Sequence, residues 1–205
     1  MEKMSIEMSR EQAWQTVCEF VEDPGLRRHM VSVEAVMRAY AGELGGDPDQ
    51  WGMAGLLHDY DWEIHPTLEG HPRQGAPLLR ERGCPEVVVQ AILAHNTAGT
   101  GVERSSAMDF ALLACDEITG LIIAATLVRP HKDIRKLKVK SIKRNWKDRL
   151  FTAAVSREEV AEAVEDFSRE CFDGKLELWQ HAGKVLAAMQ GIAGELGLDG
   201  RLAAG

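Results

Sequence analysis

The sequence predicts an all-α fold, and three features of the 205-residue chain lead to this expectation. Apolar residues recur at spacings of three and four, which is the repeat of a helix that buries one face. Capping patterns such as Ser9-Arg10-Glu11-Gln12 open several of these stretches, and glycine or proline closes them. No stretch shows the alternation of a strand over any length. We therefore expect a single helical domain over residues 1–205.

The first half of the chain divides into helices at clear start and stop signals. The first helix follows Ser9, and one face of it carries Trp14, Val17, Cys18 and Val21. A second helix over about 24–44 places His29 on its apolar stripe, so His29 is expected to face the core. A third helix over about 48–59 ends on His58-Asp59 and continues into a loop.

Three further helices are expected, and the second and third of them each place a polar residue among apolar ones. A helix is expected over 72–82, and the next follows Cys84-Pro85 and carries His95 beside Val88 and Ile92. A long helix over 106–128 carries Asp116 on the same side as Leu112, Leu113, Thr119, Gly120 and Ile123. An aspartate in that position is expected to be buried.

Composition and cysteine usage indicate an ordinary globular protein of the cytoplasm. Of the residues, 45% are hydrophobic and 27% are charged. The longest apolar run, 120–128, is far shorter than the roughly 20 residues of a membrane span, and the N-terminus lacks a signal-peptide core. Four widely spaced cysteines are expected to be reduced thiols that fill the core: Cys18, Cys84, Cys115 and Cys171.

Charge is distributed unevenly along the chain. Residues 129–149 hold ten Lys and Arg against two Asp, a local charge of +8 in a chain of net charge -8, which leaves -16 for the remainder. This basic segment suits phosphate groups, or it is simply a solvated helix face with a basic loop. C-terminal helices are expected over about 156–197. Exposed Leu and Met positions on the last of them, 176–196, allow a homodimer as well as a monomer.

Six ligand-type residues stand out against this helical background. Any one histidine on an apolar face is more often a hydrogen-bonded core residue than a metal ligand. Several at successive helix ends and faces favour a shared cation, because a buried carboxylate without a partner costs several kcal/mol. Imidazole and carboxylate together suit Fe, Mn, Ni, Co or Zn, and six ligands favour two ions. The six are His29, His58, Asp59, His71, His95 and Asp116.

The order His29, His58-Asp59, Asp116 resembles the H…HD…D signature of the HD superfamily of metal-dependent phosphohydrolases. Around these residues, GHPRQGAPLL, AILAHNTAG and ALLACDEITGLI are similar to the family's segments, and the resemblance covers about 26–130. It implies that His29, His58, Asp59 and Asp116 hold one ion, and that Asp59 bridges to a second ion held by His71 and His95. It also implies hydrolysis of a phosphoester or phosphoanhydride of a small molecule, such as a nucleotide, with Fe or Mn as the leading metals.

The sequence departs from the family's HDIGK form, since Tyr60, Asp61 and Trp62 follow the dipeptide. The missing lysine helps to bind phosphate in relatives, so the basic segment offers the replacement candidates Lys132, Lys138, Lys140 and Lys143. Asp61 is a candidate proton relay, although a carboxylate that caps the next turn is the commoner arrangement. Trp62 either stacks on a substrate base or fills the core. His65 is expected in a solvent-facing loop, away from any metal.

Two other functions stay open at this point. Some relatives with the same six-ligand arrangement use diiron to activate oxygen, so an HD-type diiron oxygenase is an alternative to the hydrolase. A non-catalytic, metal-stabilised scaffold that binds RNA or an acidic partner through the basic segment is the other. The acidic remainder of the chain would repel a long polyanion, which makes nucleic acid the less favoured partner.

Overall fold

The protein is helical throughout the residues that this computed structural model describes, 7–148 and 156–203. These residues form ten α-helices, two short 3-10 turns and no strand, with one isolated bridge between Asp133 and Asp199. The predicted all-α fold is confirmed. The chain divides into two compact units, Met1–Leu112 and Leu113–Gly205, and a single domain over 1–205 stays a prediction.

The first unit contains six helices and the start of a seventh. Their bounds are α1 Arg10–Phe20, α2 Pro24–Leu44, α3 Pro48–Leu57, α4 Ala76–Glu81, α5 Glu86–Ala94, α6 Thr97–Thr100 and α7 Ala107–Leu127. The capping box predicted at Ser9 is present, with the Ser9 and Gln12 side chains each bonded to the other's backbone N–H. The helix expected over 72–82 begins only at Ala76, because 71–75 form successive turns.

Close packing of α2 on α3 sets the position of the site. At Gly55 in α3, a β-carbon would lie 2.8 Å from the backbone N of Glu34 and 2.8 Å from the carbonyl C of Val33 in α2. Only glycine permits this approach. Val33, Val36 and Tyr40 of α2 are buried together with Ala54 and Leu57 of α3.

Cys18 corrects the expectation that all four cysteines fill the core, since it is exposed on α1. The buried face of α1 follows Ala13, Thr16 and Val17, and Cys18 falls beside it. Cys84 and Cys115 are buried and Cys171 is half-buried, and all four are free thiols.

The second unit contains most of α7 and the helices α8 Val139–Trp146, α9 Arg157–Phe172 and α10 Leu178–Gly191. Ser156 caps α9, as predicted. Val185, Leu186 and Met189 of α10 are buried within the chain. The choice between a monomer and a homodimer stays a prediction. On the same helix, His181 is buried and its Nε2 lies 2.8 Å from the carbonyl O of Ala114 in α7.

Asp116 also differs from expectation, because it is half-buried rather than buried. The most buried side of α7 runs through Leu112, Cys115, Ile118 and Ile122. Asp116 shares the adjacent side with Leu113, Gly120 and Ile123, each of which is partly exposed. The buried side of α7 therefore lies about one position away from the stripe that the sequence predicts.

Candidate metal centre

The ligand-type residues of the first unit are brought together by two helix ends, one helix face and one loop. His58 is the C-terminal cap of α3 and His95 is the C-terminal cap of α5. His29 lies in the second turn of α2, and His71 lies in the turns between α3 and α4. The C-terminal end of a helix carries partial negative charge, so both caps place their imidazoles where a cation is stabilised.

His29, His58 and Asp59 form the first group, in which candidate ligand atoms all lie within 4.8 Å of one another. The Nε2 atoms of His29 and His58 are 3.3 Å apart, and His58 Nε2 is 3.4 Å from Asp59 Oδ2. His58 is fully buried. We call this group the first triad.

Asp59, His71 and His95 form the second group, with the same spread of 4.8 Å at most. His71 Nε2 lies 3.1 Å from His95 Nε2 and 3.2 Å from Asp59 Oδ1, while His95 Nε2 lies 3.8 Å from Asp59 Oδ1. We call this group the second triad. Asp59 thus directs Oδ2 to the first triad and Oδ1 to the second, and its role as a bridge between two ions stays a prediction.

Three of the imidazoles are held at Nδ1, which leaves Nε2 as the ligand atom. His58 Nδ1 lies 2.9 Å from the Gly55 carbonyl, and His95 Nδ1 contacts the Ile92 carbonyl. His71 Nδ1 lies 2.7 Å from Asp61 Oδ1. A carbonyl or carboxylate oxygen only accepts, so in the neutral rings Nδ1 carries the proton and Nε2 presents its lone pair. This is the usual arrangement behind metal-ligating histidines.

The separations of 3.3 and 3.4 Å around His58 Nε2, and of 3.1 and 3.2 Å around His71 Nε2, fit ligands that share an ion. Metal–nitrogen bonds of about 2.1 Å separate neighbouring ligand atoms by about 3.0 Å in octahedral and about 3.4 Å in tetrahedral geometry. Without a cation or a proton between them, the facing Nε2 lone pairs of His71 and His95 would repel each other. The donor set therefore fits divalent metal ions, with nitrogen and oxygen ligands that suit Fe, Mn, Co, Ni or Zn.

The electrostatics around His71 also favour a bound cation. Burial lowers the pKa of this imidazole, but its hydrogen bonds to Asp59 and Asp61 outweigh that effect and raise the pKa to about 9. Positive charge is thus stabilised between these two carboxylates, whether a proton or a metal ion supplies it.

Asp61 is fully buried and lies behind His71 rather than among the triad atoms. Its Oδ2 has no hydrogen-bond partner among the described residues. A β-carbon on Gly75 would lie 2.4 Å from this oxygen, so the glycine makes room for the carboxylate. The backbone carbonyl of Asp61 accepts from Ile64 and His65, whereas the carboxylate that the sequence suggests as a cap of this turn bonds to His71 instead. A proton relay through Asp61 stays a prediction.

Sequence reasoning missed two residues that build the centre. Asn96 donates from Nδ2 to the carbonyls of Leu68 and His71, at 2.7 and 2.6 Å, and so ties the His71 loop to the residue after His95. Gly55 permits the contact of α2 with α3. The Gly-x-x-His spacing from Gly55 to His58 was visible in the sequence, but nothing local indicated the partners of Asn96.

The remaining predicted metal ligand and phosphate-binding residues belong to the second unit. Asp116 and the basic segment belong to the second unit, and a ligand role for Asp116 stays a prediction. Lys132 donates to the Leu202 carbonyl at 3.2 Å, and Lys143 lies over the Trp179 ring at 5.2 Å. Lys138 and Lys140 are exposed, and Arg149, the end of the segment, lies outside the described residues. Substrate binding by the four lysines stays a prediction.

Trp62 and His65 both lie on the loop after α3. The Trp62 ring meets the His71 ring edge to face, with centroids 5.1 Å apart, and Trp62 is 36% exposed. This ring therefore borders the second triad, and stacking on a substrate base stays a prediction. His65 is partly exposed and is not among the triad residues.

Over residues 26–171 the chain matches the HD domain family, and the protein belongs to that family. The HD domain defines a superfamily of metal-dependent phosphohydrolases. The match extends beyond the 26–130 expected from the motifs, through α8 and almost to the end of α9. Families of this kind bind divalent metals, which agrees with the two triads.

Similar curated proteins include three ribonucleases Y. The chain is 35% identical to that of Opitutus terrae over 69 residues, 33% of this chain and 13% of the relative. For Oleidesulfovibrio alaskensis the identity is 32% over 94 residues, 45% and 18% of the two chains. For Lactobacillus acidophilus it is 41% over 69 residues, 33% and 13%. The chain thus spans less than a fifth of these relatives, and no solved structure matches it.

Helix α7 is, among the described residues, long and apolar enough to cross a membrane by length and composition. Its most apolar window has a mean hydropathy of 1.8, and 61% of that window is buried inside the protein. The core helix of a globular protein has the same properties, so this is weak evidence for a membrane span. The expected cytoplasmic location stays a prediction.

Proposed function

We propose that the protein hydrolyses a phosphoester or phosphoanhydride of a small molecule, such as a nucleotide, using two divalent transition-metal ions. The observation that carries this proposal is the position of Asp59, which directs one oxygen to each triad. Membership of the HD domain family supports it. Fe and Mn are the proposed metals, since His and carboxylate ligands suit both.

The two ions would lower the pKa of a bound water toward neutrality and neutralise phosphate oxygens. The protein's part is to fix the ligands. The carbonyls of Gly55 and Ile92 orient His58 and His95, and the carboxylate of Asp61 orients His71. Asp59 belongs to both triads and would fix the position of one relative to the other. Asp59 is 19% exposed at its side chain, more than His58, His71 or His95, so solvent reaches this carboxylate.

The ribonuclease Y relatives add a second substrate class for the same chemistry. The name of these relatives indicates a phosphodiester substrate, RNA, whereas a monoester or an anhydride has a more highly charged phosphate. We rank the small phosphorylated molecule first, because the chain outside the basic segment carries a charge of -16 and would repel a long polyanion.

Hydrolysis is tested without oxygen on protein loaded with Mn, Co or Ni. The panel is p-nitrophenyl phosphate, bis-p-nitrophenyl phosphate, nucleotides and a short RNA, and a His95→Ala variant is compared with a His65→Ala control. We expect anaerobic hydrolysis of at least one of these compounds by the unaltered protein and the control, and loss of at least tenfold with His95→Ala. Turnover that requires both iron and oxygen would contradict hydrolysis and favour the diiron oxygenase.

A further inference from the structure

We propose that Arg73 and Arg104 form the phosphate-binding part of the site, next to the second triad. This inference rests on the proposed function, because it names where the charged group of such a substrate would bind. The two arginines would supply the positive charge of the lysine that is missing after His58-Asp59. They belong to the first unit, whereas the lysines suggested by the sequence belong to the basic segment.

Both guanidinium groups contact the corner of chain that follows α5. Arg104 Nη1 donates to the Ala94 carbonyl at 3.3 Å and to Thr97 Oγ1 at 3.2 Å. Arg73 Nη2 donates to the Gly99 carbonyl at 2.7 Å. Ala94 directly precedes the ligand-type residue His95, so both arginines are anchored within a few residues of it.

The loop that carries His71 is tied to the same corner. Asn96 donates to the His71 carbonyl, and Arg73 follows His71 by two residues. The corner 94–99 therefore contacts Arg73, Arg104 and the His71 backbone together. Both arginines are therefore anchored to the segment that supplies His95, and Arg73 itself belongs to the loop that supplies His71.

The charge of these two arginines is not neutralised within the described residues. Arg10 and Arg38 pair with Glu34, Arg80 pairs with Glu86 and Arg82 pairs with Glu19. The partners of Arg73 and Arg104 are instead carbonyl and hydroxyl oxygens. Arg27, Arg129 and Arg157 also bond only to carbonyl or hydroxyl oxygens, so Arg73 and Arg104 are distinguished by their place next to the segments of the second triad.

Spare donors remain on both groups. A guanidinium has five N–H donors in a planar fork that matches two phosphate oxygens. Arg104 uses Nη1 alone, its Nε is buried without a hydrogen-bond partner, and Arg73 uses Nη2 alone. Arg27, which also bonds only to carbonyls, differs because it uses both Nε and Nη2 on the end of α1.

Inorganic phosphate is the probe, and its affinity is measured by titration calorimetry at low salt. The proteins are the unaltered chain, Arg73→Gln, Arg104→Gln and the control Arg80→Gln, which removes the same charge from an exposed ion pair. Each proposed arginine should contribute a charge-assisted hydrogen bond, so each Gln variant is expected to bind phosphate about tenfold more weakly. The control is expected to stay within about twofold of the unaltered chain, because Arg80 bonds to Glu86.

Arg104→Gln also removes bonds to Ala94 and Thr97, so circular dichroism and metal content are measured on every variant. Arg73 is exposed, and Arg73→Gln provides the same test if Arg104→Gln fails to fold. Three results would overturn the proposal. They are equal phosphate affinity in all folded variants, an equal loss in the control, and no phosphate binding by the unaltered chain. Phosphate binding that depends on the arginines, in a protein that hydrolyses no phosphate compound, supports this inference while the proposed function fails.

Discussion

At the residue scale, the centre depends on what holds each imidazole. His58 and His95 are bonded to carbonyls of their own helices, three residues earlier, so α3 and α5 orient them locally. His71 lies in a loop and is oriented by the buried carboxylate of Asp61. Of the three, His71 is thus the ligand whose orientation depends on a side chain.

Asp61→Asn should weaken metal binding at the second triad. An amide keeps the shape but lacks the charge that stabilises a cation next to His71, and such partners are worth about 10- to 100-fold in metal affinity. Competition with a chelator measures the affinity, and Asp49→Asn is the control, since Asp49 is exposed and paired with Arg38. Unchanged affinity in Asp61→Asn would show that this carboxylate does not support the ligand.

Metal binding should release a proton from His71. The pKa of about 9 means that the metal-free protein holds His71 as imidazolium at neutral pH, and a metal ion must displace that proton. Affinity should therefore rise between neutral pH and about 9, and the measured binding enthalpy should depend on the buffer's ionisation enthalpy. In His71→Ala this proton release should be lost; a buffer-independent enthalpy in the unaltered protein would contradict the account.

The sequence identified the triad residues because His29 and His95 interrupt apolar stripes and because His58-Asp59 forms a recognisable dipeptide. It did not identify the Asp61–His71 bond. That contact joins two positions of a turn-rich loop, and no helical or strand period relates them. The same reason hides Asn96, whose partners lie 25 and 28 residues away in the sequence.

At the element scale, helix ends were predicted well where caps are local, as at Ser9, Gly45 and Ser156. The error at 72–82 arose because Pro72 fits the first turn of a helix, whereas tertiary contacts of His71 and Gly75 hold that segment in turns. The burial of Asp116 was misjudged for a related reason, since periodicity fixes the buried stripe only to about one position.

Gly55→Ala should destabilise the contact of α2 with α3. The added methyl would meet α2 backbone at 2.8 Å, and overpacking of this kind costs about 1–3 kcal/mol. Gly42→Ala is the matched control, because Gly42 lies in α2 with nothing within 4 Å of its β-carbon position. Urea unfolding should show a loss for Gly55→Ala and a gain of about 0.5–1 kcal/mol for Gly42→Ala. Equal effects of the two substitutions would contradict close packing at Gly55.

His181 should make the second unit less stable in acid. Burial lowers its pKa from 6.5 to about 4, despite the hydrogen bond with the Ala114 carbonyl. Between these values the unfolded chain binds a proton that the folded chain does not, so stability should fall as pH drops from 6.5 to 4, by about 3 kcal/mol in all. Unfolding of the protein and of His181→Gln is compared across this range. A difference between them that does not change with pH would refute the assignment.

At the scale of the whole molecule, the HD domain match covers 26–171 and so includes the basic segment. The fold class could be predicted from helical periodicity and caps, and the family from its motif residues. The division into two compact units could not, because α7 is one uninterrupted helix of 21 residues across the boundary and no linker composition marks it.

The most direct test of the account is metal analysis by inductively coupled plasma mass spectrometry, on protein purified without oxygen and without a histidine tag. The account predicts close to two transition-metal ions per chain, about one in His71→Ala, and none in Asp59→Ala, because Asp59 alone contributes to both triads. Circular dichroism establishes that each variant is folded. Full metal content in folded Asp59→Ala would contradict the bridging carboxylate on which the proposed function rests.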